Sequence, residues 1–227
     1  SALERARVQS DLDTLVFAWT QVEHLEEAML SLAAQDDRAV LLLQLPGVGL
    51  IIALTLLAAI GDITRFPTAS HLVGYAGLGG RVHDSGQTHR SGRITKAGRR
   101  DIRAAMVEAA HTACRVHPHW QAELARLEPR LGKNKAIVAI ARKLLVAVWH
   151  VLTNGEADRY ATPERTARKL LQHAYRLGAE NRQGQSTGEY VRAQLDRFGV
   201  GVELKAVPWG KKRVVPLPPS RLKVGAD

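Results

Sequence analysis

One cysteine, Cys114, stands in 227 residues, which excludes an internal disulfide framework and any multi-cysteine metal site. Aromatic residues are scarce, at 5% against 45% hydrophobic residues overall. No apolar run is long. The longest, Leu50 to Ile60, is interrupted by Thr55 and is too short to span a bilayer. No secretory pattern opens the chain, because Glu4, Arg5, Arg7, Asp11 and Asp13 interrupt its first 20 residues. Acid is also in short supply: 22 Asp and Glu face 32 Lys and Arg, a net charge of +10. What is present is a basic chain long enough for one large or two small domains and a real core.

The charge is unevenly placed. Residues 1–44 hold three basic residues (Arg5, Arg7, Arg38) and eight acidic ones, a net of −5, which leaves +15 for the rest. Such asymmetry points to a polyanion partner for the basic part and a different task for the acidic one. Residues 81–103 are densest, with seven basic and two acidic residues, and residues 205–223 carry six basic residues and no acid.

The acidic segment reads as a helix with a coiled-coil seam. Val8, Leu12, Leu15, Trp19, Val22, Met29 and Ala33 follow the alternating spacing of four and three that an a/d seam requires, with Glu26 in one seam position. Leu25 and Leu32 widen the stripe. The alternative is a long helix packed on its own domain. Because the helical pattern starts almost at Ser1, the chain is expected to begin within a longer protein.

A helix-hairpin-helix pattern follows. Leu42-Leu43-Gln44-Leu45-Pro46-Gly47-Val48-Gly49 runs into the apolar stretch from Leu50, with Ala53 four residues beyond Gly49. The two glycines are expected to permit a tight reversal with positive φ. The turn would then aim N–H groups at the start of the next helix towards a phosphate, making Gly47 and Gly49 candidate nucleic-acid contacts. No Lys or Arg lies between Leu42 and Thr64, so electrostatic help is weak, and a purely structural connection remains the alternative.

Residues 79–98 read as a long loop rich in Gly, Ser, Thr, His and Arg, of a length that is usually functional or disordered. It offers hydroxyl nucleophiles, Ser85 and Ser91, among the guanidinium groups of Arg81, Arg90 and Arg93. Arginines suit a phosphodiester, since each binds two phosphate oxygens and offsets transition-state charge. A serine attacking phosphorus must also lose its proton, and His83, Asp84 and His89 lie close in sequence. Lys96, Arg99, Arg100 and Arg103 continue the basic stretch as candidate nucleic-acid contacts. The alternative is a basic loop that only wraps a nucleic-acid backbone.

Several blocks now occur in order: Pro46-Gly47-Val48-Gly49, Ile60-Gly61-Asp62-Ile63-Thr64-Arg65-Phe66, Gly74-Tyr75-Ala76-Gly77-Leu78, Ser85-Gly86 and Gly92-Arg93-Ile94-Thr95-Lys96-Ala97-Gly98. Arg99-Arg100-Asp101-Ile102-Arg103 and Ala141-Arg142-Lys143-Leu144-Leu145 extend the series. Over about residues 40–155 this resembles the C-terminal transposase domain, often called transposase 20, of the bacterial insertion-sequence family numbered one-ten, which includes the Piv-type serine/DEDD recombinases. Where members commonly have Pro after Gly-Leu, this chain has Gly79-Gly80-Arg81. Where they commonly have Asn after Lys-x-Gly, it has Arg99.

The resemblance implies a catalytic serine at Ser85 that attacks a DNA phosphodiester and forms a phosphoserine link. It implies an upstream RuvC-like domain whose acidic residues bind Mg²⁺, joined by the coiled coil, and a composite site built from different subunits. It implies DNA and a structured guide RNA as partners, a homo-oligomer (dimer or tetramer) and a bacterial, cytoplasmic setting without a membrane. No cofactor is expected within this chain. Asp62, Asp84, Asp101 and Glu108 sit at no recognisable ligand spacing, and the His117-x-His119 pair has no third ligand in register.

The expected fold is therefore mainly α: a coiled-coil helix over residues 1–40, a catalytic-serine domain over 41–155, and a C-terminal helical extension with a basic tail over 156–227. Helices are read over 102–116 and 136–152, with Cys114 a small helix residue and Trp120 and Trp149 in the core. In the extension, Thr162-Pro163 starts a helix closed by Gly178, Ser186-x-x-Glu189 forms a capping box, and a small β-hairpin centres on Trp209-Gly210. No chemistry is assigned there beyond phosphate contacts from Lys211, Lys212 and Arg213. Alternatives to the enzyme fragment are a non-catalytic nucleic-acid-binding module and a multimerisation unit.

Overall fold

Helix α1, Ala2–Gln35, starts at a capping box between Ser1 and Glu4 and is about 50 Å long at 1.5 Å per residue. It is exposed up to residue 25, and only the end, around Leu30 and Ala33, packs on the rest. The computed structural model describes residues 1–85, 88–210 and 213–222, and describes backbone alone at residues 35, 81–85 and 88–93. The chain is mainly α-helical. Helices α2 (Asp37–Leu42), α3 (Leu50–Ile60) and α4 (Ala69–Tyr75) precede an antiparallel pair, β1 (Gly80–Ser85) and β2 (Thr88–Ile94). Then come α5 (Arg100–Val116), α6 (Pro118–Leu131), α7 (Lys133–Asn154), α8 (Pro163–Asn181) and α9 (Thr187–Arg197). A second pair, β3 (Ala206–Trp209) and β4 (Arg213–Pro216), follows.

The centre of the fold is α7, packed by α4, α5 and α6. Ile137, Ile140, Ala141, Leu144, Leu145 and Val148 recur at helical spacing and are buried. They meet Leu72 of α4 and Ile102 and Met106 of α5 in one continuous core, each large side chain contributing about 1.5–3 kcal/mol by its removal from water. By length and composition α7 could cross a membrane, but 56% of its apolar window is buried here against its neighbours. Trp120 is buried and Trp149 half-buried, the latter donating from Nε1 to the Phe66 carbonyl at 2.8 Å. Cys114 is buried, and burial pushes its thiol pKa up, as befits a packing residue.

The C-terminal segment has the expected helix start, capping box and hairpin, but Gly178 kinks α8 and does not close it. Pro163 opens α8, and the helix kinks at Gly178 (φ 74°) before resuming to Asn181. Ser186 and Glu189 cap each other's backbone N–H groups at the start of α9. Val207 pairs with Val215 in the β3–β4 hairpin. The segment also shares the main core: Leu170, Leu171 and Ala174 belong to the same buried cluster as Leu42 and Leu56.

Two expectations are corrected. Residues 79–98 are not a plain loop, because Gly80–Ser85 and Thr88–Ile94 pair as the strands β1 and β2. Polar residues occupy both faces of these strands, so the apolar/polar alternation that marks a half-buried strand is missing. Gly49 is not a positive-φ residue: it is the extended N-cap of α3 (φ −99°, ψ −179°), with nothing within 4 Å of an added Cβ. Gly47 alone supplies the positive φ, at 79°.

Candidate active site and nucleic-acid interface

The β1–β2 hairpin projects from a clasp made of two glycine turns. After α4, Gly77 adopts φ 68°. Before α5, Gly98 adopts φ 138°. A Cβ on Gly77 would come within 2.9 Å of the Ala97 carbonyl oxygen, and one on Gly98 within 2.2 Å of the Tyr75 oxygen. Backbone bonds close the clasp: Thr95 N–H to Gly79 (2.9 Å), Lys96 N–H to Gly77 (3.1 Å) and Arg99 N–H to Tyr75 (2.8 Å). The sequence blocks Gly74-Tyr75-Ala76-Gly77 and Lys96-Ala97-Gly98 are thus two halves of one structure.

Beyond the clasp the ladder runs Gly80 opposite Ile94, Val82 opposite Ser91, His83 opposite Arg90, Asp84 opposite His89 and Ser85 opposite Thr88, with a register shift between Gly80 and Val82. Ser85 is therefore at the end of the ladder furthest from the clasp. The side chains of Ser85, Arg81, Arg90 and Arg93 lie outside the described residues, as do those of His83, Asp84, His89 and Ser91. So do Lys211 and Lys212.

The remaining basic candidates divide into two kinds. Lys96 and Arg100 are exposed at the foot of the hairpin. Arg99 and Arg103 are engaged within the chain. Arg99 grips Asp101 through Nε and Nη2, holding that carboxyl at about 2 and its own pKa above the usual arginine value, with Tyr75 adding to the effect. Arg103 donates to the Ala76 carbonyl at 2.9 Å, on the inner side of the clasp. Arg103 is half-buried there, so less of it faces solvent than of Lys96 or Arg100.

Among the described residues no three His, Cys, Asp or Glu side chains gather where they could hold a metal ion. Asp62 caps the short turn Ile63–Arg65, Asp101 is taken by Arg99, and His119 stacks on Tyr160 at 3.7 Å. The described residues do not fit Mg²⁺.

A second basic surface, which the sequence did not suggest, surrounds the α2–α3 turn. Gly47 lies so close to α5 that a Cβ would sit 2.0 Å from the Ala109 oxygen. Buried Gln44 fastens the turn to the segment after α7, accepting from Asp158 N–H at 2.7 Å and donating to the Glu156 carbonyl at 3.3 Å. From α8, Lys169 Nζ donates to the carbonyls of Leu43 (2.9 Å), Leu45 (2.6 Å) and Val48 (3.0 Å). Burial, with Arg165 adding repulsion, lowers the Lys169 pKa to about 8. The ammonium persists at neutral pH, because three carbonyls accept from three protons and a neutral amine has only two. A cleft of about 1070 Å³ opens beside this turn, lined by α8, the start of α3 and part of α5. The signal for α8 was present as the helical stripe Arg165, Arg168/Lys169, Gln172, Arg176, but its target is over 110 residues away in sequence.

Residues 39–125 match the family described as Transposase IS116/IS110/IS902. The chain is 34% identical over 154 residues to the pilin gene-inverting protein of Moraxella bovis, a match covering 64% of this chain and 48% of that protein. It is 31% identical over 139 residues to the transposase for insertion sequence element IS1111A of Coxiella burnetii, covering 59% and 38%. It is 30% identical over 150 residues to the insertion element IS110 43.6 kDa protein of Streptomyces coelicolor, covering 65% and 37%. The chain thus spans about half the length, or less, of these curated relatives. The match to the IS116/IS110/IS902 transposase family thus runs from α2 through the β1–β2 hairpin into α6.

Proposed function

We propose that this chain is the serine-bearing part of a bacterial DNA transposase or recombinase, with Ser85 as its nucleophile. In the reaction, Ser85 Oγ attacks the phosphorus of a DNA phosphodiester. The Oγ–P bond forms as the bond from phosphorus to the departing deoxyribose oxygen breaks. The seryl proton passes to a base, and the departing oxygen takes up a proton. One phosphate diester replaces another, so the bond energy is retained for rejoining to a second DNA end. Arg81, Arg90 and Arg93 share the hairpin with Ser85 and suit the extra charge of the pentavalent transition state. Lys96 and Arg100 supply exposed charge at its foot.

The observation that carries this reading is the clasp. Two glycines that tolerate no side chain fix the base of a hairpin rich in polar residues, with Ser85 at its far end beside the Asp84–His89 pair of the ladder. A sequence so polar, carried on so constrained a base, points to a task outside folding.

In this reading the acidic Mg²⁺ ligands belong to a RuvC-like domain outside these 227 residues, and no step above runs through the metal. The extra length of the relatives leaves room for such a domain. The +15 charge of residues 45–227 suits both DNA and a structured guide RNA. The α2–α3 turn serves as a helix-hairpin-helix contact to backbone phosphates through Gly47 and Gly49. The exposed seam of α1, including Val8, Leu12, Leu15, Trp19 and Val22, is a coiled-coil surface for a second subunit, and cytoplasmic DNA is the substrate.

Ser85→Ala in the full-length gene product tests the chemistry. Denaturing gels should lose the covalent protein–DNA adduct and strand transfer should fall below detection, while DNA affinity stays within about twofold. Undiminished transfer by the alanine variant leaves the non-catalytic binding module as the reading.

A further inference from the structure

Read as sequence, the α2–α3 turn has no basic residue to attract a phosphate. The fold supplies the charge from elsewhere. α8 lies along the turn, and Lys169 is consumed in holding three of its carbonyls. With those acceptors turned to the ammonium, the opposite polarity is left at the start of α3. Gly49 makes no side-chain cap, so the first N–H groups of α3 lack acceptors within the helix, and these residues line the cleft.

The same cleft is faced by Arg165 and Arg168, both exposed and neither with a carboxylate partner among the described residues. Further along α8, Arg176 also lines it, paired at 2.6 Å with Glu26 of α1. Glu108 of α5 is the acidic residue on the opposite wall. His173 lines the cleft too. It is nearly fully buried, and its Nε2 has no hydrogen-bond partner. Arg165 and Arg168 stand one turn apart on α8, a rise of about 4.5 Å. Backbone phosphates recur about every 3.4 Å of helix axis per strand of duplex, so two guanidinium groups at this spacing, with the α3 N–H groups beside them, suit neighbouring phosphates of a polyanion better than one phosphate group.

We propose that this cleft seats the sugar–phosphate backbone of one DNA strand, with a phosphate at the N-terminus of α3 and neighbouring phosphates on Arg165 and Arg168. Lys169 is a positioning residue that fixes the turn and touches no DNA. The choice of DNA rests on the transposase reading above. The contact is made to phosphates and carries no sequence preference.

The test titrates the whole 227-residue chain with a fluorescein-labelled 30-base-pair duplex of arbitrary sequence, by anisotropy, over a series of salt concentrations. Arg165→Ala/Arg168→Ala should lower affinity about tenfold or more and flatten the slope of log K against log salt by about 2, since each neutralised phosphate contributes about 0.9. Lys133→Ala/Lys135→Ala removes the same charge from the exposed start of α7 and should change affinity less than twofold. Ile51→Glu, at an exposed site in the first turn of α3, should weaken binding as strongly without lowering the melting temperature, because a carboxylate there suits the helix dipole. Equal losses from the two double variants, or unchanged binding by Ile51→Glu, overturn the site. A loss seen only with an RNA version of the probe overturns its assignment to DNA. No binding by the unsubstituted chain defeats the DNA reading itself, which is a different result from binding that ignores Arg165 and Arg168.

Discussion

The backbone N–H of Arg99 donates to the carbonyl of Tyr75 at 2.8 Å, and the glycine just before Arg99 presses against that same carbonyl. At Gly98 an added methyl would meet the Tyr75 oxygen at 2.2 Å, and φ is 138°. Gly98→Ala therefore faces both backbone strain, about 1–3 kcal/mol, and a steric conflict with backbone that cannot swing aside. Urea unfolding should show a loss of more than 3 kcal/mol, or a chain that does not fold. Gly155→Ala is the comparison. Its φ of 72° is also left-handed but nothing lies within 4 Å, so about 1 kcal/mol is expected. Equal losses at the two positions would show that the clasp is no tighter than an ordinary helix end.

Lys169 fixes the α2–α3 turn from a distance. Lys169→Met keeps most of the aliphatic stem and removes the donor, leaving the carbonyls of Leu43, Leu45 and Val48 without it. Buried acceptors left unmet cost about 1–3 kcal/mol each when water cannot reach them. Some will find water in the neighbouring cleft, so the expected loss is about 2–4 kcal/mol by chemical denaturation. Amide exchange should rise across residues 43–49 before it rises in α7. Wild-type stability in the methionine variant would mean that the three bonds offset no more than the cost of burying the ammonium.

Much of this arrangement was legible in the sequence, and the exceptions have physical causes. α5 and α7 declare themselves through apolar spacing, Pro118 and Pro163 through their first-turn positions, and α9 through the residues of its Ser186/Glu189 box. Glu26 was legible as a misfit in an apolar seam. Its partner, Arg176, was not, because 150 residues separate them and only the packed fold brings them to 2.6 Å. The partners of Lys169 were hidden for the same reason, lying more than 120 residues away in sequence. The β1–β2 hairpin failed differently: its information is in backbone pairing and in the glycine clasp, neither of which leaves a hydrophobic period. Of the candidate site, the positions around Ser85 were legible as motif and charge, whereas the engagement of Arg99 and Arg103 needed coordinates.

Acid should weaken the fold through His173. Burial and the nearby Arg176 lower its pKa to about 4, against 6.5 for a free imidazole. Between these values the unfolded chain binds a proton that the folded chain refuses, so stability is highest above pH 6.5 and declines as pH falls towards 4. A shift of this size corresponds to at most about 3 kcal/mol. Measured by urea unfolding at pH 7, 6, 5 and 4, His173→Phe should show a shallower decline than the native chain. Parallel curves would assign the acid sensitivity to other groups.

The exposed seam of α1 makes the last prediction, and Glu26 explains where the seam ends. Up to residue 25 every position of α1 is exposed, among them Leu12 at 50%, Trp19 at 63% and Val22 at 52%. From Glu26 onward the same face turns to the chain's own domain: Glu26 meets Arg176, and Ala33 is buried. Apolar side chains at a/d spacing gain most by packing into a partner helix, whereas at the docked end Glu26 is already paired and Ala33 already buried. Leu12→Lys/Trp19→Lys should therefore raise the dissociation constant for self-association more than a hundredfold in sedimentation equilibrium. The melting temperature of the domain, measured at a concentration where both are monomeric, should stay within about 2 °C, because neither side chain belongs to the core. A native chain that remains monomeric at high micromolar concentration would remove self-association as the use of this surface.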